Sequence, residues 1–206
     1  MDGNVNVERL NFDDPRWPDF VLRYRWANAF HSPEFNRVAS LSRGFDVIPL
    51  FALSGERIVA CAFPVLVDTD LSLPGRLGRR LLVYGSPLAL PDEEGLVGLE
   101  KILHAVRNLA RMRALFAEIR NSQPFPGAEV LGDTREPLLG DWDFIPQENY
   151  LVDLSLGEEE LARRLSSGTR KNIRRSERNG CEIREIETTE EFHAAADLIR
   201  ELYRRK

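Results

Sequence analysis

Between Arg163 and Arg178 the sequence places seven lysines and arginines among sixteen residues, against the single acid Glu177. The segment carries +6 in a chain of net charge −5, so all other residues together carry −11. Basic groups at this density hold anions, Arg through paired N–H donors and Lys as a point charge. Arg170, Arg174 and Arg178 recur every four residues and would share one face of a helix, with Lys171, Arg175 and Arg178 as the neighbouring stripe. Ile173 is the one strongly apolar residue from 170 to 179, so such a helix displays charge more than it builds a core. A solvated helix face is the competing reading, since charge runs are common on exposed helices. Exposed helices usually interleave Glu with their Arg, and this one does not.

Other chemistry is sparse. His31, His104 and His193 are scattered without ligand spacing, so the pattern does not indicate a metal site. Cys61 and Cys181 form no ligand-spaced pair and read as small residues of a reducing compartment. Glu118, Asp133, Asp141 and Asp153 are candidate general bases by residue type alone, and no catalytic residue is assigned. The 206 residues, 43% hydrophobic and 30% charged, suit a folded chain with one sizeable core and the beginning of another. The apolar run Ile58 to Val67 is too short for a transmembrane segment. Asp2, Glu8, Asp13 and Asp14 occupy the place of a signal peptide's basic start and apolar run, so a cytoplasmic location is expected.

These residues need elements to hold them. Val5 to Leu10 alternates as a first strand, and Pro15 to Phe30 spaces Trp17, Phe20, Tyr24 and Trp26 as helical core contacts. Ser32-Pro33 opens a second helix. Asp46 to Leu53 and Arg57 to Val67 form a hairpin through Ser54-Gly55-Glu56. The basic tip Pro74 to Arg80 reads as a solvated loop before the strand Leu81 to Tyr84. Asp92 caps a helix to Arg113 that buries Leu96, Leu99, Leu103, Val106, Leu109 and Met112. The strand Ala114 to Ile119 follows, with a parallel partner across that helix. Gln123 to Pro146 reads as loops and Asn149 to Leu154 as a strand. Ser155 with Glu158 makes a capping box for the helix carrying the first arginines. Gly168 interrupts that helix, Ser167 or Thr169 restarts it, and Asn179-Gly180 ends it. A strand from Glu182 to Ile186 comes next. Thr188 with Glu191 then caps a last helix, whose apolar face is Phe192, Ala195, Ala196, Ile199 and Leu202. The order implies an α/β fold with helices covering a mixed sheet. No sheet follows to receive that last face, so the sequence reads as stopping partway through a second α/β unit.

Three stretches together resemble the FemAB family of peptidoglycan bridge-forming aminoacyltransferases and their GNAT-like relatives. They are Phe30-His31-Ser32-Pro33-Glu34-Phe35; Tyr84-Gly85-Ser86-Pro87-Leu88 ahead of the acidic start Asp92-Glu93-Glu94; and Tyr150 to Leu154, through Glu158-Glu159-Glu160-Leu161, to Arg170-Lys171-Asn172-Ile173-Arg174-Arg175 and Gly180. The resemblance implies a GNAT-like domain over residues 1–147 and the beginning of a second, truncated and inactive alone, over 148–206, with the acceptor site in and beside their cleft. It implies transfer of an aminoacyl or acyl group to an amine, with aminoacyl-tRNA or acyl-CoA as donor and no cofactor within the chain. The partner implied is a phosphate-bearing peptidoglycan precursor or other cell-envelope substrate, a setting compatible with peripheral membrane contact. It places substrate binding on Arg170 and Arg174 first, then Lys171, Arg175 and Arg178. Two family features are missing. The early helix offers only Arg37 where relatives can use a lysine, and no Arg-x-x-Gly-x-Gly/Ala loop for a CoA pyrophosphate occurs. The alternative is a non-catalytic module using helix 170–178 to bind nucleic acid or an anionic membrane surface. That segment has no aromatic residue for stacking bases and no apolar face for insertion.

Overall fold

The computed structural model describes residues 5–69, 73, 75–120, 142, 143, 145 and 152–205. The chain divides into two compact units, Met1–Asn149 and Tyr150–Lys206. In the first unit two apolar runs fold back on each other because Gly55 supplies a φ of +59° in a two-residue turn between Ser54 and Arg57. Each run is broken once, giving β2 (Phe45–Val47) and β3 (Leu50–Ser54), then β4 (Arg57–Ala62) and β5 (Pro64–Asp68). The Ile48 N–H donates to the Pro64 carbonyl at 2.8 Å and carries the pairing across both breaks. With β1 (Val5–Glu8), β6 (Arg79–Tyr84), β7 (Leu88–Ala89) and β8 (Ala117–Arg120), the strands form two four-stranded sheets, β1-β3-β4-β7 and β2-β5-β6-β8. Among the described residues β6 and β8 are the one parallel pair.

A parallel pair needs a crossover, and α3 (Glu93–Arg113) supplies it. The Asp92 carboxylate accepts the Gly95 N–H at 2.7 Å and opens the helix. Its inward stripe is Gly95, Gly98, Leu99, Ile102, Leu103, Val106 and Ala110. This stripe packs in one cluster with Ala52, Val59 and Ala60 of one sheet and Leu66, Leu81 and Val83 of the other. The alignment differs from the leucine stripe expected, since Met112 is 67% exposed and Leu96 and Leu109 are half-buried. Gly98 is the cause: a Cβ there would lie 2.9 Å from Val59 Cγ2 and 3.1 Å from the Ala52 Cβ. The backbone itself is pressed to the sheet at that point, which turns Ile102 and Ala110 inward and Met112 out.

The opposite face of the first sheet is covered by α1 (Arg16–Arg23), through a fully buried Trp17 stacked on Phe63 at 4.8 Å and edge-on to Phe51. This helix ends at Arg23 instead of reaching Phe30, because Tyr24 turns extended and Asn28 caps a separate short 3-10 turn, Ala29–His31. Trp17 is a core residue as expected. Trp26 is only half-buried, beneath the Arg25 guanidinium. The helix α2 (Pro33–Ser40) starts as its sequence indicates, with Ser32 Oγ accepting the Phe35 N–H at 3.2 Å.

The second unit holds α4 (Glu158–Arg164), α5 (Ser167–Arg178) and α6 (Thr189–Arg204), none with a buried residue. Three local expectations are corrected. The Ser155–Glu158 box does not form, because Asp153 captures both the Ser155 hydroxyl and its N–H, leaving Gly157 at the N-cap. Gly168 lies inside α5, whose cap is Ser166, its Oγ accepting the Thr169 N–H at 3.1 Å. Residues 182–186 form no strand, since a strand exists through its ladder and no described residue pairs with them. Of the strand expected at 149–154, residues 152–154 are not extended into a sheet and 149–151 lie outside the described residues, as do most of 123–146. The Thr188–Glu191 box forms with both bonds, while Phe192, Ile199 and Leu202 on α6 face outward. Among the described residues no helix is long and apolar enough to cross a membrane.

Overfilling the Gly98 contact will lift α3 from both sheets at once. Gly98→Leu is expected to lower unfolding stability by roughly 2–3 kcal/mol in urea titration. Val97→Leu, on the outward face one residue earlier, will change it by less than about 0.5 kcal/mol.

Candidate functional site

Helix formation at α5 follows from its ends. Ser166 caps the start, and Gly180, at φ +73°, reverses the chain after Asn179. The cationic segment then divides into parts with different partners. Arg163 and Arg164 on α4 share Glu160, at 2.5 and 3.2 Å, and their charge is locally offset. Arg170 Nη1 donates to the carbonyl of Arg163 at 3.0 Å and to that of Leu165, so this side chain ties the end of α4 to α5. Arg178 Nε donates to the Arg174 carbonyl at 3.2 Å, a bond that leaves its charge uncompensated. Among the described residues no carboxylate pairs with Lys171, Arg174, Arg175 or Arg178. The five expected binding residues therefore lie along one helix. None of the five is met by a carboxylate among the described residues, and Arg170 has in addition a structural task that spacing did not reveal.

The start of α3 is the electrostatic opposite. A helix N-terminus with free N–H groups attracts phosphate. Here the first turn is filled by the Asp92 carboxylate and followed by Glu93 and Glu94, while Arg57 bridges Asp92 and Glu94 at 3.1 and 2.8 Å. A Cβ at Gly95 would fall 2.0 Å from the Leu90 carbonyl oxygen, so the backbone is closed over that turn as well. This helix start is built to repel an anion.

Neither of the two described candidate bases is poised as one. Glu118 is paired with Arg120, Nε to Oε1 at 2.9 Å. Asp153 is held below the ordinary carboxylate range by the Ser155 hydroxyl and N–H. Asp133 and Asp141 lie outside the described residues. The buried Cys61 thiol is pushed far upward by desolvation and stays protonated.

His31 has a different role. Its ring is fully buried, Nδ1 accepting the Asn28 N–H at 3.1 Å and Nε2 lying 2.8 Å from the Ser86 carbonyl. An acceptor at Nδ1 fixes the proton on Nε2, which donates to Ser86. Its own carbonyl accepts Trp17 Nε1–H at 2.8 Å. Gly85, at φ +78°, sits where a Cβ would be 2.9 Å from His31 Cε1. Two of the stretches that carry the family resemblance, Phe30 to Phe35 and Tyr84 to Leu88, thus meet face to face, with Phe30 stacked on Tyr84 at 5.6 Å. The sequence left this junction unread. A histidine three residues after a capping Asn is the signal that could have found it.

No family model matches the chain, and no curated protein matches it. Solved structures do show similarity. An aminoglycoside acetyltransferase from an uncultured soil metagenomic sample, in complex with sisomicin, is 13% identical with a TM-score of 0.47, over 72% of this chain and 95% of that one. A ribosomal-protein-alanine N-acetyltransferase from Brucella melitensis biovar Abortus 2308 is 15% identical with a TM-score of 0.44, over 73% of this chain and 99% of that one. Similarity at this distance assigns no activity.

Burial lowers the affinity of His31 for a proton, outweighing its bonds to Ser86 and Asn28. The unfolded chain, titrating near the ordinary histidine value, takes up that proton first. The stability contributed by His31 is therefore complete above about pH 6.5 and declines as pH falls below it. Asp14 and Asp153, held below the ordinary range, titrate lower still. Melting temperature is expected to fall between pH 7 and 5 in the wild type. His31→Gln will melt lower at pH 7.5 but show a shallower decline.

Proposed function

We propose that the protein is a FemAB-like N-acyltransferase whose helix α5 holds the phosphates of its substrate. The observation that carries this reading is the contrast in charge. Lys171, Arg174, Arg175 and Arg178 are met by no carboxylate among the described residues, whereas the start of α3 is capped and flanked by acids. An anionic substrate is directed to the first and away from the second. In this reading the unit Met1–Asn149 is a first GNAT-like domain, and the helices of Tyr150–Lys206 belong to a second.

The reaction is attack of an amine on the carbonyl carbon of an aminoacyl ester or acyl thioester. A C–N bond forms, the alcohol or thiol leaves, and the amine loses a proton. That chemistry needs the amine neutral and the developing oxyanion stabilised. The contribution assigned to α5 is positioning: guanidinium groups one turn apart hold a pyrophosphate in two places and fix the distance from there to the reacting amine. The acceptor is a peptidoglycan precursor or another cell-envelope substrate bearing phosphate, and the donor is aminoacyl-tRNA or acyl-CoA.

A uridine-diphosphate sugar-peptide is expected to raise the melting temperature, and Arg174→Glu will weaken its binding at least about tenfold, as loss of a charge-assisted contact requires. Arg170→Met will instead lower helix content, by circular dichroism, while retaining the ligand-induced rise. No rise, or one that survives Arg174→Glu, would contradict the assignment. Nucleic acid binding with a steep salt dependence, and no response to the precursor, would favour a non-catalytic anion-binding module.

A further inference from the structure

The outer edge of β1 is open beside α3. Among the described residues β1 has one ladder partner, β3, in a register running from Val5 opposite Ser54 to Glu8 opposite Phe51. The Val5 carbonyl accepts Lys101 Nζ at 2.5 Å, so it is turned away from β3. Main-chain direction alternates along an antiparallel strand. The N–H and carbonyl of Val7 therefore point outward with that of Val5, while Asn6 and Glu8 bond to Leu53 and Phe51. The hairpin gives the same assignment, since Ser54 faces Arg57 across the two-residue turn and leaves Leu53 to Asn6. Val7 is half-buried, its side chain packed in the α3 cluster, and no described residue bonds its outward N–H or carbonyl.

Beside this edge lies a groove of about 470 Å³, within the roughly 300–1,000 Å³ of ligand sites. Its wall is one flank of α3, where Lys101, His104, Ala105 and Asn108 recur three and four residues apart as a continuous strip. Charge there is balanced, with Glu100 the one acid and Lys101 the one lysine among the described lining residues. Asn108 Nδ2 lies 3.2 Å from His104 Nδ1, so these two polar groups meet each other. The groove thus selects neither sign of charge. What it offers is a main-chain donor and acceptor at strand spacing. Both are strong hydrogen-bonding groups, and one partner that meets the pair in a single geometry is the main chain of another strand. Lysine commonly guards such edges; here Lys101 guards Val5 and leaves Val7 open.

We infer that this edge takes an extended, uncharged segment of another polypeptide as a fifth strand of the first sheet. The peptide main chain accepts from the Val7 N–H and donates to the Val7 carbonyl, and alternate side chains lie against Ala105 and His104 of α3. A second copy of β1 fits less well. Antiparallel self-pairing centred on Asn6 would set Val5 opposite Val7 twice, and Lys101 occupies the Val5 carbonyl in each copy. The site lies within the first unit and is independent of the acyltransferase reading.

Amide hydrogen exchange of the full chain, read by NMR, tests it with an end-capped peptide of alternating threonine and valine. In the free protein the Val7 N–H is expected to exchange readily, while the Asn6 N–H, in the ladder, is protected. Saturating peptide will slow Val7 exchange at least about tenfold and leave Asn6 unchanged. The same peptide with every amide N-methylated will do neither. Val7→Pro removes the outward donor without touching a bond to β3 and will weaken the peptide about fivefold. Lys101→Met frees the Val5 carbonyl and will strengthen it by a similar factor. A Val7 amide already protected in the free protein, equal protection by the N-methylated peptide, or no response to the peptide would overturn the inference. So would Val7 protection that grows with protein concentration in the absence of peptide, since the edge would then pair with a second copy.

Discussion

The first unit depends on one helix covering two sheets. Because β6 and β8 run parallel, the chain must cross between them on one face, and α3 makes that crossing. Its stripe from Gly95 to Ala110 is the common wall of both sheets. Gly98 is the closest point, where backbone meets Val59 and Ala52. At its start the Asp92 cap, with Glu93 and Glu94 beside it, closes the first turn to anions.

A second constraint joins the segment before α2 to the turn after β6. His31 satisfies both ring nitrogens on backbone partners and offers its backbone carbonyl to Trp17, so three pieces of chain meet at one residue. Histidine suits the position because it can accept from one backbone group and donate to another within a single rigid ring. Its neutrality is enforced by burial, which removes it from acid–base chemistry and makes it a pH-sensitive structural element.

Much of the architecture was legible in the letters. The hairpin around Gly55, the caps at Ser32, Asp92 and Thr188, and the strand–helix–strand crossover all carry local chemistry that does not depend on distant residues. The errors arose where a distant or competing partner decides. Met112 fits a helical stripe as well as Ile102 does, until Gly98 sets the rotation. Ser155 was free to cap Glu158 in sequence, yet Asp153 reaches it first. Residues 182–186 alternate like a strand, but pairing is supplied by another segment and cannot be read from their own letters. In the candidate site, spacing located the cationic face of α5. It could not show that Arg170 is engaged on α4 carbonyls, because that bond depends on how the chain turns between Leu165 and Ser167.

The functional claim rests on the cations of α5 that no carboxylate meets among the described residues. The most direct measurement is an NMR titration of arginine Nε–H resonances with the uridine-diphosphate sugar-peptide. The side chains of Arg174, Arg175 and Arg178 should shift together and saturate with a single dissociation constant, while Arg57, bridged to Asp92 and Glu94, stays still. Unmoved resonances on α5, or shifts confined to the start of α3, would contradict the assignment of substrate phosphate to this helix.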